Sequence, residues 1–427
     1  MSGYQKPTPT AGGTEYPGLS KKERNRRWQR VRELMRDRGL ACLLVFGLKG
    51  REQFDRYLTN DRTGGIVVFP LEGDLVHLTW TVFDVVAHLE SALRDEESWV
   101  RDIRVGATGD TVVKVLREKG FDRAAIGTVG LTIYGAGERE GYVPYKTWSC
   151  ILDNLPQADF QEISTAFAQL VAVKSTEELQ LVRRAAEIGE LAAEAMLQAT
   201  RPGASESEVY TAAMSQLFLH GANGSTSPYI SPMILHSGPD NPSWGAPMWL
   251  FRGQPPRVLK KGDIIQAEIF PRYGGLEAQL QMSVALEPLD PVNRKCADIA
   301  RRSYVAGFKA LCPGAAFGDV VHAMEEPLRQ AGAWHLTPLV HSLNPLSWVS
   351  GTGVGIENMP GIEKYKGIGP SPVIGADVKV QPSTVWVLEP NACLGRHRVN
   401  IGGTVVVTEN GPESLNVLPN ELRMAAG

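Results

Sequence analysis

The chain is short of the features that define several large protein classes. Its five cysteines, Cys42, Cys150, Cys296, Cys312 and Cys393, are odd in number, widely spaced and without a C-x-x-C pair, which excludes a disulfide framework and a zinc knuckle. Each reads as a small buried hydrophobe, in keeping with a cytoplasmic protein. Positive charge is not in surplus: 44 Lys and Arg stand against 47 Asp and Glu, for a net charge of −3. The basic residues are scattered, so no nucleic-acid partner is expected. No apolar run approaches the length of a membrane span, and no membrane partner is expected. The opening MSGYQKPTPTAGG lacks a charged-then-apolar signal pattern, and residues 1–18 read as a disordered lead. There is no internal repeat and no low-complexity tract.

Apolar residues, by contrast, make up 43% of the 427 positions, enough for two substantial cores. Ser20-x-x-Glu23 reads as a capping box ahead of a helical stripe of Trp28, Val31, Leu34 and Met35, which stops at Gly39. ACLLVFG (41–47) reads as a buried strand, and GIVVFP (65–70) with LVHLTW (75–80) as a hairpin. Helical stretches near 82–94 and 110–119 alternate with strands near 99–105 and 124–129, which predicts an α/β domain over 19–170.

A boundary is expected near Val171–Lys174. Beyond it Ser175-x-x-Glu178 caps a long amphipathic helix and Ser205-x-x-Glu208 caps another. Strands are expected at 229–238, 383–390 and 404–411, with helices near 291–311 and 316–331, so residues 171–427 form an α+β unit. The stretch 230–260, rich in Pro, Gly and Trp, reads as a covering loop. Between them lies Lys261–Val284, two apolar-rich runs joined by Arg272-Tyr273-Gly274-Gly275 with hairpin turn chemistry. Alternation places Gln266 and Glu268 on one face of the first run, and Glu277, Gln279 and Gln281 on one face of the second. Such a hairpin suits the floor of a site.

Five segments carry a family resemblance: VKSTEELQLVRRAAEI, KKGD with a strand ending Ile269-Phe270-Pro271, GTGVG (351–355), LEP (388–390) and TVVVTENGPESLN (404–416). Together they resemble the pita-bread superfamily of prolidase, aminopeptidase P, methionine aminopeptidase and creatinase, across nearly the whole chain. The resemblance implies an N-terminal α/β domain followed by the α+β pita-bread (creatinase/aminopeptidase) domain. In the metallopeptidase members two metal ions are held by two Asp, a His in G-H-G and two Glu. The corresponding residues here are Glu268, Gln279, Thr352, Glu389 and Gly402, of which only Glu389 is unchanged. Further family histidines fall among Trp249 and Phe251 and near Met359. A two-metal centre needs several anionic or imidazole ligands and bridging carboxylates, so no metal and no cofactor are expected. A single Mg²⁺- or Ca²⁺-like ion on Glu268, Gln279 and Glu389 is the exception considered.

The metal-free creatinase branch is similar in more detail. Phe270-Pro271 and Glu389 match it, and Arg62 in NDRTGG matches an arginine that creatinase supplies from the N-terminal domain of the partner subunit. Its second carboxylate falls on Gln281, and its catalytic histidine has no clean counterpart. The resemblance implies a homodimer.

Glu389 closes an apolar strand, where a carboxylate is costly unless paired or used. Glu268 has a similar setting, and two carboxylates sharing a metal-free cavity would hold one protonated. The plainer reading is pairing with Arg272, Arg396 or Arg398. His236 is the candidate base, with His341 and His397 as alternatives. Gln279, Gln281, Thr352 and Arg62 are candidates for orienting a small polar substrate. Trp244 and Trp249, with Trp348 and Trp386, are candidates for a pocket wall or plain core. The expected function is metal-independent hydrolysis of a carbon–nitrogen bond in a small molecule. A metal-free lyase, a non-catalytic peptide- or protein-binding module and an Xaa-Pro peptidase-like enzyme with an altered metal site are the alternatives.

Overall fold

The structure, a computed structural model, describes residues 16–47, 53–61, 64–93, 98–132, 143–225, 232–417 and 420–425. Most of the proposed lead, and Arg62, lie outside the described residues. The chain divides into two compact units, Met1–Val171 and Ala172–Gly427.

The first unit is built on strands β1 (Cys42–Phe46), β2 (Ile66–Pro70), β3 (Val76–Thr79), β4 (Asp102–Val105), β5 (Ala125–Val129) and β6 (Asp159–Glu162). Their order is β4-β3-β2-β1-β5-β6. β1–β2 and β2–β3 are antiparallel, whereas β1–β5, β3–β4 and β5–β6 are parallel. Helices α1 (Lys21–Asp37), α2 (Phe54–Thr59), α3 (Val82–Leu93), α4 (Gly109–Glu118), α5 (Tyr145–Asn154) and α6 (Ser164–Ala172) complete it. β1 is buried along its whole length, and its alternate residues serve two cores. Leu43 and Val45 pack with Trp28, Val31 and Met35 of α1, and Cys42, Leu44 and Phe46 pack with Val112, Val115 and Leu116 of α4. Ser20 caps α1 by accepting from the Glu23 N–H. The box expected there is only half made, because the Glu23 carboxylate binds Arg26 and Arg27 instead.

The second unit holds α7 (Thr176–Ala199), α8 (Glu206–Leu219), α9 (Pro291–Ala310) and α10 (Phe317–Gln330). Reciprocal capping boxes start α7 at Ser175 and α8 at Ser205. Its strands are β7 (Ile234–Gly238), β8 (Ile264–Ile269), β9 (Arg272–Tyr273), β10 (Leu276–Glu277), β11 (Leu280–Ala285), β12 (Val340–Leu343), β13 (Val385–Leu388), β14 (Asn391–Leu394), β15 (His397–Asn400), β16 (Gly402–Thr408), β17 (Gly411–Ser414) and β18 (Arg423–Met424). The main sheet runs β12-β13-β16-β11-β8-β7. Alternate residues of β13 again separate two layers. Val385 and Val387 pack with Val182 of α7, and Trp386 and Leu388 pack into the core that carries α9 and α10. Trp386 is fully buried, 5.1 Å from Phe317 and 5.6 Å from Trp348 between ring centroids. Trp348 and Trp386 are therefore core residues. No helix among the described residues is long and apolar enough to cross a membrane.

A polar cluster around Asp55 and His77 is buried in the first unit. Asp55 accepts a hydrogen bond from the Gly65 N–H at 2.9 Å through Oδ2, and its Oδ1 is without a partner. His77, fully buried, places Nδ1 3.5 Å from Asp61 Oδ2. Gly47 is required beside this cluster, since a Cβ there would lie 1.8 Å from Asp55 Oδ1. Burial pushes the Asp55 carboxyl up from 3.8 to about 6, against the His77 charge and the Gly65 hydrogen bond. The folded state therefore holds this proton more tightly than the unfolded chain. The cost of ionising it is absent below the unfolded value and complete above about 6. Asp55→Asn is expected to stabilise the protein at pH 8 by on the order of 2 kcal/mol, with the gain fading as pH falls below about 6 and gone below the unfolded value of 3.8. Thermal melts across this range check it, and a loss of stability at pH 8 would count against it.

Candidate functional site

The hairpin expected from alternation is present. β8 and β11 are antiparallel, with Glu268 opposite Gln281 and Gln266 opposite Ser283, and the β9–β10 turn closes the tip. Glu277, Gln279 and Gln281, two residues apart, are linked in series. Gln279 Nε2 donates to Glu277 Oε1 at 3.1 Å, and Gln281 Nε2 donates to Gln279 Oε1 at 3.4 Å. The same Gln281 amide donates to Glu389 Oε2 at 2.7 Å. Glu389 follows β13, is 4% exposed, and its N–H donates to the Leu339 carbonyl.

On the other side of Glu389 stands His341, carried by β12 opposite Val387. Its Nε2 lies 3.4 Å from Glu389 Oε1. Its Nδ1 lies 2.8 Å from the Ser342 carbonyl oxygen, which only accepts, so Nδ1 carries a hydrogen. Nε2 is then the atom turned to the carboxylate, so the pair can take up one proton between them. The imidazole beside the carboxylate thus comes from β12 and not from the 351–355 run to which the resemblance assigned it. Thr352 is instead bonded through Oγ1 to Ser371 Oγ at 2.7 Å, away from Glu389.

Glu268, like Glu277 and Glu389, is a buried carboxylate. It accepts from Trp244 Nε1 at 3.2 Å on Oε2 and from Arg398 Nη2 at 3.4 Å on Oε1. Burial, the largest influence, pushes its carboxyl up, while the Arg398 charge and the two hydrogen bonds pull it down. Arg398 is itself 1% exposed, and its Nε–H has no partner. Pairing of this carboxylate with a nearby arginine, the plainer of the two readings, is present for Glu268. Gln281 joins the two acids: its backbone faces Glu268, its amide holds Glu389, and its own Oε1 is buried without a partner.

A strap over residues 239–245 covers this floor. The carbonyls of Pro239, Asn241, Ser243 and Gly245 accept from Asn293 Nδ2, Gln266 Nε2, Arg398 Nη1 and His236 Nε2, at 3.1, 3.0, 2.9 and 2.7 Å. Asp240 pairs with Arg396 at 3.1 Å. His236 is thus a tether: Nε2 carries the hydrogen given to Gly245, and burial lowers its pKa. Trp244, 44% exposed, spans from solvent to Glu268. Trp249 stands edge-on to Tyr210 at 5.5 Å and touches none of these groups through a hydrogen bond. His397 binds Asn293. The site therefore gathers Glu268, Gln279, Gln281, Glu389, Trp244 and, through the strap, His236. His341, Arg398 and Glu277 join them, His341 and Arg398 being only alternatives by local sequence pattern.

These donors do not fit a pair of divalent cations. Glu268 faces a guanidinium and an indole N–H, and Glu389 faces an amide N–H, so hydrogens occupy directions that metal ligands would need. Gly402, at φ +128, could carry no side chain, since a Cβ would lie 1.9 Å from the Leu388 oxygen. Among the described residues no group of three or more His, Cys, Asp and Glu is placed to hold a metal ion.

Residues 180–409 match the model of metallopeptidase family M24. The creatinase of Bacillus sp. (strain B-0618) is 24% identical over 428 residues, 94% of this chain and 92% of that one. Among solved structures, an X-Pro aminopeptidase from Thermotoga maritima MSB8 superposes with a TM-score of 0.71 at 18% identity, covering 93% of this chain and 99% of the other. The dipeptidase PepE from Mycobacterium ulcerans gives 0.70 at 21% identity, over 96% and 99%. These likenesses carry the fold, an N-terminal domain followed by a pita-bread domain. The family model spans more than half the sequence, and the chain belongs to metallopeptidase family M24.

Proposed function

We propose that this family member is a metal-independent hydrolase of a carbon–nitrogen bond in a small amidine, amide or related molecule. The observation that carries the reading is the setting of Glu389, held between an amide donor and an imidazole as a proton acceptor is held, not as a cation ligand. The likeness to a creatinase over most of both chains supports the substrate class. The unpartnered Gln281 Oε1 supports it too, because a buried acceptor suits a substrate N–H.

In this reading water adds its oxygen to the substrate carbon and the carbon–nitrogen bond breaks. One water proton passes to the Glu389–His341 pair, and the leaving nitrogen takes a proton from Glu268, whose raised pKa suits an acid. The base role is assigned to this pair, and His236 serves through its hold on the strap. Gln279 and Gln281 orient the substrate, Trp244 covers it, and Arg62 acts from the partner subunit of a homodimer. Thr352 and Trp249 receive no role. A cytoplasmic location is proposed from the five cysteines, all of them free.

Purified protein, dialysed against chelator, is expected to hold far less than one equivalent of iron, manganese or zinc and to keep its activity. Stoichiometric retained metal would overturn the reading. Across a panel of small amidines, guanidines and amides, Glu389→Gln is expected to lower kcat by about a thousandfold or more. Product should carry ¹⁸O from labelled water, and turnover without label would mark elimination instead. Trp244→Phe removes one influence that pulls the Glu268 carboxyl down, so its protonated form should persist to higher pH. The alkaline limb of kcat/KM is then expected to move up by as much as about one pH unit. An unmoved or lowered limb would remove Glu268 from the role of acid.

A further inference from the structure

Four side-chain atoms in the layer between the strap and the hairpin are buried without a hydrogen-bond partner: Gln266 Oε1, Gln281 Oε1, Asn241 Nδ2 and Arg398 Nε. Their residues are at most 4% exposed, so each unmet atom carries a desolvation cost. Two of the four accept and two donate. Gln266 Nε2 gives its hydrogens to the carbonyls of Asn241 and Arg398, at 3.0 and 2.5 Å, and Gln281 Nε2 gives its own to Glu389 Oε2 and Gln279 Oε1. The unmet atom of each glutamine is therefore the oxygen. The four residues form one group. Gln266 joins Asn241 to Arg398 through those carbonyls, Arg398 reaches Glu268 through Nη2, and Gln281 stands opposite Glu268 in the register of β8 and β11.

We propose that the substrate of this site is a ureide, a carbonyl flanked on both sides by N–H. The proposal rests on the hydrolase reading above and names its substrate class. Hydrogen-bond matching is the argument. A guanidinium or amidinium carries donors only. It answers the two glutamine oxygens, but it turns N–H bonds toward the Arg398 and Asn241 donors and sets a second cation beside the Arg398 guanidinium. A simple carboxamide has the carbonyl but a single nitrogen, which leaves one side without a donor. A ureido group offers its oxygen to the two donors and one nitrogen to each acceptor. Gln266 and Gln281 are diagonal neighbours across the hairpin, about 7 Å apart, a separation that one planar group bridges with hydrogen bonds of about 3 Å at either side.

The same two donors then serve the reaction. Water adds its oxygen to the ureido carbon and gives one proton to the Glu389–His341 pair, while the carbonyl electron pair moves onto the oxygen held by Arg398 Nε–H and Asn241 Nδ2–H. When the carbonyl re-forms, the bond to the substituted nitrogen breaks and that nitrogen takes a proton from Glu268. The products are an amine and carbamic acid, which falls to carbon dioxide and ammonia. The pair returns its proton to solvent, and Glu268 takes one up.

Three series with the same substituents test this on the full chain: N-alkylureas, N-alkylguanidines, and carboxamides in which CH₂ replaces the substituted nitrogen. At neutral pH, kcat/KM for the ureas is expected to exceed that for either other series by about tenfold or more. Arg398→Lys keeps a cation beside Glu268 but removes the Nε–H, and should shrink the preference for ureas over guanidines by about tenfold. An unchanged preference in the folded variant overturns the ureide proposal. Where the variant fails to fold by circular dichroism, the wild-type comparison decides. Ureas turned over no faster than guanidines or carboxamides overturn the ureide proposal alone, whereas hydrolysis of none of the three series overturns the hydrolase reading with it.

Discussion

Two carboxylates, Glu268 and Glu389, are buried in the floor of one sheet, and the second unit is arranged around the cost of keeping them there. An isolated ionised carboxylate in such a place costs several kcal/mol, so each needs a partner or a proton. Glu268 receives a guanidinium from β15 and an indole N–H from the strap, while Glu389 receives an amide from β11 and an imidazole from β12. Those partners come from four separate segments. The strand order β12-β13-β16-β11-β8 is what brings them within reach.

In this site the buried acids are offset by hydrogen-bond donors, the Gln281 amide on Glu389 and the Arg398 guanidinium with the Trp244 indole on Glu268. Gly402 closes a further position through the approach of β16 to Leu388.

Much of this was legible in the sequence, and the limits have physical causes. Period-two alternation located the β8–β11 hairpin and placed Glu268, Gln279 and Gln281 on its polar faces, because strand geometry makes parity a direct report of side. The boxes at Ser175 and Ser205 started their helices as expected. At Ser20 the expectation was half met, since two arginines one turn on outcompeted the backbone for Glu23. His341 had been a secondary candidate because its neighbour Glu389 is reached only through the pairing of β12 with β13, a contact that local pattern does not encode. Arg398 had been one of three arginines, and only the fold selects among them. His236 meets the Gly245 carbonyl, and a sequence shows a histidine's position but not the carbonyl that claims its N–H.

The strap is held by its carbonyls at every second residue, Pro239, Asn241, Ser243 and Gly245, while the donors that grip it belong to the body of the domain. Any amino acid supplies a carbonyl. The grip is therefore spelled by Asn293, Gln266, Arg398 and His236 and is nearly silent about which side chains the strap itself displays. Apart from Trp244, whose indole N–H is given to Glu268, a loop fastened in this way can exchange its outward side chains while the two acids beneath keep their partners.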